Sequence, residues 1–220
     1  MTFRIEALDS EGWAREVATR IEAALPLSGA VVITGGTTVA KVYELFEDHR
    51  LWNGLDVMFS DERCVPPDHP DSNFKMATDL FLERSSARVH RMPGELEPAE
   101  GALRYHDDIA ELISTGPDLA FMGMGADCHV GAIYPGSPAL ITPNYCAAVA
   151  RPDGLAGLTL TPSAMLACSS IRLLVTGATK AEAVLRAVRG SEGPSNCPVR
   201  ALADHPDVTF YLDAAAAALL

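Results

Sequence analysis

Asp118-Leu-Ala-Phe-Met-Gly-Met-Gly-Ala-Asp-Cys-His-Val-Gly-Ala-Ile-Tyr-Pro-Gly136 decides how this chain is read. The stretch opens as a short apolar run over 119–122. It breaks at Gly123 and Gly125, and Asp127 and His129 follow at once. An apolar run of that length bounded by glycines predicts a buried strand ending in a tight turn. Ligands of α/β proteins bind just outside the carboxyl ends of strands. A carboxylate and an imidazole delivered to such a place are positioned for acid–base chemistry.

Upstream, the same grammar repeats. Ala30-Val-Val-Ile-Thr34 is β-branched and apolar and predicts a buried strand; Gly35-Gly-Thr-Thr38 follows, and 39–46 read as a helix with Val42, Leu45 and Phe46 inward. A strand, a glycine loop and a helix together offer free backbone N–H groups to a phosphate. Such a loop alone reads equally well as an ordinary tight turn. Leu55-Asp-Val-Met-Phe59 predicts the next strand, ending in Ser60-Asp-Glu-Arg-Cys-Val-Pro-Pro67. Arg63 there could fork onto a phosphate or carboxylate; taken alone, surface pairing with Asp61 or Glu62 is the simpler reading. Asp71 or Ser72 is placed to cap a helix over 74–83. An N-terminal edge strand (3–8), a Ser10-capped helix (11–25), a weak strand (88–92) and a helix (99–113) complete this half. Tyr43, Phe46, Phe74 and Phe81 fall at helical spacing and read as core.

Downstream, 137–157 carry three prolines and read as irregular, a lid or pocket rim. Strands are expected over 158–161, 171–176 and 208–212, and helices over 162–168 and 181–188, with Asp213 capping an alanine-rich tail helix. Gly177-Ala-Thr-Lys180 sets Lys180 in a first helical turn, where a cation opposes the dipole unless an anion sits nearby. The strand–helix alternation predicts one α/β domain over 1–220, with a doubly wound, mostly parallel, Rossmann-like sheet covered by helices on both faces. Four strand ends then carry polar groups, at 34–38, 60–63, 123–129 and 176–180.

Composition narrows the function. The net charge of −12 disfavours nucleic acid and anionic membranes. It also requires any anion pocket to be locally positive against the global field. The five cysteines form no Cys-x-x-Cys pair and read as reduced thiols. No signal-peptide core or membrane-length apolar run stands out, so a soluble cytoplasmic protein is expected. A monomer is expected, with a dimer as the alternative. The remaining histidines show no metal-ligand spacing, and no metal or cofactor is expected.

In this arrangement the chain resembles the 6-phosphogluconolactonases, within the larger glucosamine-6-phosphate isomerase/deaminase-like superfamily. Thr34-Gly-Gly-Thr-Thr38 resembles the family's phosphate loop. Asp61-Glu-Arg-Cys-Val-Pro66 with Asp71-Ser-Asn73 is similar to its Asp-Glu-Arg-x-Val-Pro and Ser-Asn segments. Gly123-Met-Gly-Ala-Asp-Cys-His129 resembles Gly-x-Gly-x-Asp-Gly-His, and Tyr134-Pro-Gly136, Leu158-Thr-Leu-Thr161 and Gly177-x-x-Lys180 fall in family order. The resemblance implies hydrolysis of 6-phospho-D-glucono-1,5-lactone to 6-phosphogluconate in the oxidative pentose phosphate pathway. It implies His129 as general base with Asp127 supporting it. Gly35, Gly36, Thr37, Arg63 and Lys180 would hold the phosphate, and Asp61 would bind a sugar hydroxyl or brace Arg63.

Three positions depart from the family pattern. Cys128 replaces a glycine, at about 1 kcal/mol if φ is positive there. Val39 replaces a proline after the phosphate loop. Gly157 replaces an arginine and removes a cation near the pocket. Three alternatives stand beside the lactonase reading: a sugar-phosphate isomerase or deaminase, a non-catalytic sugar-phosphate binder, and a lactonase for another acidic sugar. No acid lies between His129 and Pro138 to serve as an isomerase's second carboxylate.

Overall fold

The computed structural model describes residues 3–220. The chain runs through β1 (Arg4–Leu8), α1 (Trp13–Ala24), β2 (Ala30–Ile33), α2 (Thr37–Tyr43), β3 (Asp56–Phe59), β4 (Asp61–Arg63), α3 (Asn73–Leu80) and β5 (Arg88–His90). It continues through α4 (Pro98–Thr115), β6 (Leu119–Gly123), β7 (Cys146–Ala150), β8 (Ala156–Leu160), α5 (Pro162–Leu166), β9 (Ile171–Val175), α6 (Ala181–Arg189) and β10 (Val208–Asp213). Seven strands form a parallel sheet in the order β1-β10-β9-β6-β2-β3-β5. β2, β6 and β9 lie in its interior and are almost wholly buried. That is why they read as unbroken apolar runs: a parallel sheet packed with helices on both faces leaves no side for polar residues. The doubly wound α/β expectation is met, with β1 at the edge.

A second sheet was not legible in advance. β4, β8 and β7 pair antiparallel in that order. β4 is three residues of Asp-Glu-Arg, and β7 is Cys-Ala-Ala-Val-Ala inside a proline-bearing segment. Charged residues and alanines have poor strand propensity, and here cross-strand pairing overrides it. The segment over 137–157 is therefore not irregular throughout.

Two buried tyrosines fix the ends of the central strands. Tyr43 on α2 donates its hydroxyl to Thr34 O at 2.7 Å and accepts from Thr34 N at 3.2 Å. Tyr105 on α4 accepts from Phe59 N at 2.9 Å. Each ties a helix to the backbone where a strand leaves the sheet. Tyr43, Phe46, Trp52, Phe81 and Phe121 form the aromatic core beside them, while Phe74 is only half-buried, against Phe59.

Several capping expectations need correction. Ser72 caps α3, accepting from Lys75 N at 3.1 Å. Ser10 does not cap α1, which begins after Gly12; its hydroxyl instead accepts from Ala214 N. Asp213 accepts from Ala216 N, yet the alanine tail forms turns rather than a helix. The same carboxylate also receives Gly177 N at 3.0 Å and so anchors the loop bearing Lys180. Lys180 closes a short 3-10 turn and stands at the N-cap of α6, one position before its first turn.

Candidate active site

The polar strand ends converge on one cleft. It is lined by the 34–39 loop, Asp61, Arg63, Asn73, the 123–125 turn, His129, Tyr134, Arg151 and Lys180, among others. Of the residues singled out in the sequence, Gly35, Gly36, Thr37, Asp61, Arg63, His129 and Lys180 are brought together there. Asp127 is not part of the lining and sits behind His129.

The loop from β6 is built to present the imidazole. Gly125 N donates to His129 O at 2.9 Å and Cys128 N to Gly125 O at 3.1 Å, which closes a tight turn. Any side chain at Gly125 would occupy the seat of the His129 ring and the Asp127 carboxylate. Asp127 Oδ1 lies 2.6 Å from His129 Nδ1 and also accepts His129 N at 3.2 Å. The carboxylate accepts, so Nδ1 carries the proton and Nε2 keeps a free lone pair. The hydrogen bond from His129 holds the Asp127 carboxyl down at about 2. Tyr134 packs on the imidazole with ring centroids 4.6 Å apart.

Cys128 pays for this turn. Its φ is 70°, and it is the only non-glycine residue with positive φ among those described. The side chain is fully buried, with Sγ 3.6 Å from Ala183 O. The left-handed conformation costs an L-residue about 1 kcal/mol, so the departure at this position does carry strain.

The loop after β2 approaches its neighbours closely. Gly36 has φ 109° and precedes α2. A side chain at Gly35 would collide with Asn73. Thr38 Oγ1 meets Thr176 Oγ1 at 3.2 Å, linking this loop to the end of β9. The first N–H groups of a helix have no partner within it, so the start of α2 offers donors to the cleft.

Asp61 and Glu62 do different work from their neighbour Arg63. Asp61 Oδ1 accepts from Ser60 Oγ at 2.6 Å and Thr34 Oγ1 at 3.2 Å. Its Oδ2 faces Asn73 Nδ2 at 3.3 Å. Asp61 thus joins the phosphate-type loop to β4 and forms no bond with Arg63, so it does not brace the arginine. Glu62 is 2% exposed and receives Arg63 N, Asn73 N, Phe74 N and Ser72 Oγ at 2.7–2.9 Å. Burial pushes its carboxyl up, while the four donors favour the charged form. Arg63 makes no ion pair among the described residues. Nη1 donates to Asp71 O, and the buried Nε has no partner. The surface-pairing reading of Arg63 is thereby displaced.

Asn73 and Arg151, both in the lining, were not singled out in the sequence. Asn73 was visible only as part of Asp71-Ser-Asn73, and the signal that marks it is the glycine at 35 that makes room for it. Arg151 gave no signal at all, because β7 itself was not expected. Arg63, Arg151 and Lys180 set three cations against the single carboxylate Asp61 in the lining. The cleft is locally positive on a chain of net charge −12.

Comparison with known proteins places the chain in a family. A model of the family described as glucosamine-6-phosphate isomerases/6-phosphogluconolactonase matches residues 8–210. A protein named 6-phosphogluconolactonase from a Nostoc species is 30% identical over 217 residues, covering 93% of this chain and 90% of its own. A protein named glucosamine-6-phosphate deaminase from Rhodopirellula baltica is 36% identical over 220 residues, covering 89% and 85%. The solved structure of 6-phosphogluconolactonase from Trypanosoma cruzi superposes with a TM-score of 0.86 at 24% identity, covering 100% of this chain and 98% of that one, and shares its fold.

Proposed function

This chain belongs to the family of glucosamine-6-phosphate isomerases and 6-phosphogluconolactonases, and on that premise we propose that it hydrolyses 6-phospho-D-glucono-1,5-lactone to 6-phosphogluconate, the lactone step of the pentose phosphate pathway. The observation that carries the reading is the His129–Asp127 pair. With Nδ1 bound to a carboxylate held at about 2, Nε2 is left as the only free base of the imidazole, at the wall of a cationic cleft.

In this mechanism a water attacks the lactone carbonyl carbon while Nε2 takes one of its protons. The new C–O bond makes a tetrahedral oxyanion, and backbone N–H groups of the glycine turn are its candidate donors. The imidazolium that forms is stabilised by Asp127. As the oxyanion collapses, the bond from the carbonyl carbon to the ring oxygen breaks. His129 returns its proton to that oxygen, and the product acid ionises. Arg63, Lys180 and the Gly35–Gly36–Thr37 loop hold the phosphate, which fixes the lactone for attack. Asp61 is committed to Ser60, Thr34 and Asn73 and acts by holding the loop.

The relative named as a deaminase supports a second reading, ring opening and amine loss from an amino sugar phosphate. Sugar isomerisation needs a further acid–base group. The cleft lining offers only Asp61, and no acid lies between His129 and Pro138. The deciding experiment follows hydrolysis of freshly generated 6-phosphogluconolactone against its spontaneous rate, with gluconolactone and glucosamine 6-phosphate in parallel. Rapid turnover of the phosphorylated lactone alone is expected. Ammonia release from glucosamine 6-phosphate without lactone hydrolysis would overturn the proposal in favour of the second reading.

A further inference from the structure

Gly157 leaves an opening in the middle strand of the small sheet, and Arg151 fills it. The 151–155 turn joins β7 to β8, with Arg151 N bonded to Leu155 O at 3.0 Å. Arg151 therefore stands opposite Leu155, and Gly157 lies two residues further on the same face, the diagonal position a long side chain reaches. A Cβ added to Gly157 would meet Arg151 Cδ at 2.9 Å and Cγ at 3.3 Å. The absence of a side chain at 157 is what lets the arginine lie flat across the strand and into the cleft.

The guanidinium is held rather than loose. Asp153, at the hairpin tip, accepts from Arg151 Nε and Nη2, the latter at 2.9 Å. The Arg151 side chain is 9% exposed. Its Nη1 has no partner among the described residues. Across the sheet, Gly157 is in register with Arg63, so Arg151 lies over the residue directly opposite Arg63. Arg63 in turn carries a buried Nε without a hydrogen-bond partner. Two guanidinium groups with unused donors thus face one cleft, Arg63 from β4 and Arg151 from the turn between β7 and β8.

We propose that Arg151 is a substrate-binding residue that works with Arg63 as a paired guanidinium clamp on the phosphate dianion, with Asp153 as its positioning residue. This assignment rests on the sugar-phosphate reading above. It restores, from the turn between β7 and β8, the cation that the glycine at 157 removes.

The test measures kcat and KM separately for Arg151→Ala and Arg151→Lys with the phosphorylated lactone. The loss of a charge-assisted contact raises KM roughly 10- to 100-fold in Arg151→Ala. Its kcat stays within about threefold. Arg151→Lys recovers only part, since an ammonium cannot fork. In the Arg151→Ala background, Gly157→Arg lowers KM again, because the charge returns and only Glu62 O, 3.2 Å from the new Cβ, must yield slightly. An unchanged KM in a folded Arg151→Ala protein overturns the clamp. A wild type that does not hydrolyse the lactone would sink the proposed reaction instead, and the clamp is then read from inorganic phosphate binding by calorimetry. Weakened phosphate binding in Arg151→Ala supports the clamp there too, and equal binding overturns it.

Discussion

His129 and Asp127 are separated by a single residue, yet Nδ1 of the first lies 2.6 Å from Oδ1 of the second. Neighbours so close along a chain face each other only in a sharply folded turn, and the positive φ of the residue between them supplies the fold. Orientation of the base is thus a property of seven residues rather than of distant packing. His129→Ala is expected to lower kcat on the order of 10²- to 10⁴-fold while product binding changes little. Asp127→Asn should lower kcat as well, because an amide can present a donor to Nδ1 and trap the wrong tautomer. Steady-state kinetics with product titration checks both; full turnover by His129→Ala would remove the mechanism.

The same pair sets an acid limit on stability. Asp127 titrates near 3.9 in an unfolded chain and at about 2 here. A depressed carboxyl contributes stability above the unfolded value and loses it as pH falls through the folded one. The unfolding free-energy difference between wild type and Asp127→Asn should therefore be constant above about pH 5 and close between pH ~4 and ~2. Asp127 is nearly half exposed, so screening keeps the effect below about 1 kcal/mol. Urea unfolding at stepped pH would detect it, and a gap that widens on acidification would contradict it.

Arg63 and Lys180 have no ion-pair partner among the described residues. Arg63→Ala and Lys180→Ala should each raise KM for the phosphorylated lactone about tenfold or more. Activity toward unphosphorylated gluconolactone should stay as it was. A fall in kcat with KM unmoved would show that these side chains do not anchor the phosphate.

Which of these parts could be read from the chain follows from how local they are. The parallel sheet was legible because β2, β6 and β9 are apolar on both faces, a pattern that only a doubly covered strand tolerates. The base, the loop and Lys180 were legible because each sits directly after such a strand. The small sheet was not, since Asp61-Glu-Arg63 and Cys146-Ala-Ala-Val-Ala150 become strands only by pairing with β8. Arg151 was hidden with them. Its place depends on an empty position six residues away on the partner strand, which no local pattern announces.

Glu62 makes a separate prediction about folding. Its carboxylate receives three backbone N–H groups and one hydroxyl, and through them it fixes β4 to the start of α3. Four donors demand an acceptor on every approach. Glu62→Gln turns an amide N–H toward them, and the expected cost is about 2–4 kcal/mol, a fall in Tm on the order of 5–10 °C. Thermal unfolding followed by circular dichroism measures it. A variant as stable as wild type would mean the backbone is held without this carboxylate.

At Cys128, burial of the side chain and strain in the backbone oppose each other. Removing a small buried side chain costs about 1 kcal/mol, and relieving a left-handed residue returns about as much. Cys128→Gly should leave the unfolding free energy within about 1 kcal/mol of wild type and preserve kcat. Loss of turnover in a stable Cys128→Gly protein would instead assign the thiol a part in the chemistry.

The base, the glycine loop and Lys180 are carried by the seven-stranded sheet, whereas Arg63 lies on the three-stranded one and Arg151 in its β7–β8 turn. The strands of the two sheets join where β3 passes through Ser60 into β4, and Leu160 N binds Ser60 O at 2.7 Å at that corner. The phosphate is thus held from both sheets, by the glycine loop and Lys180 on one side and by the two arginines on the other. A substitution at Ser60 or Leu160 that shifts this corner would move Arg63 and Arg151 relative to the base, and would change affinity before it changes the chemical step.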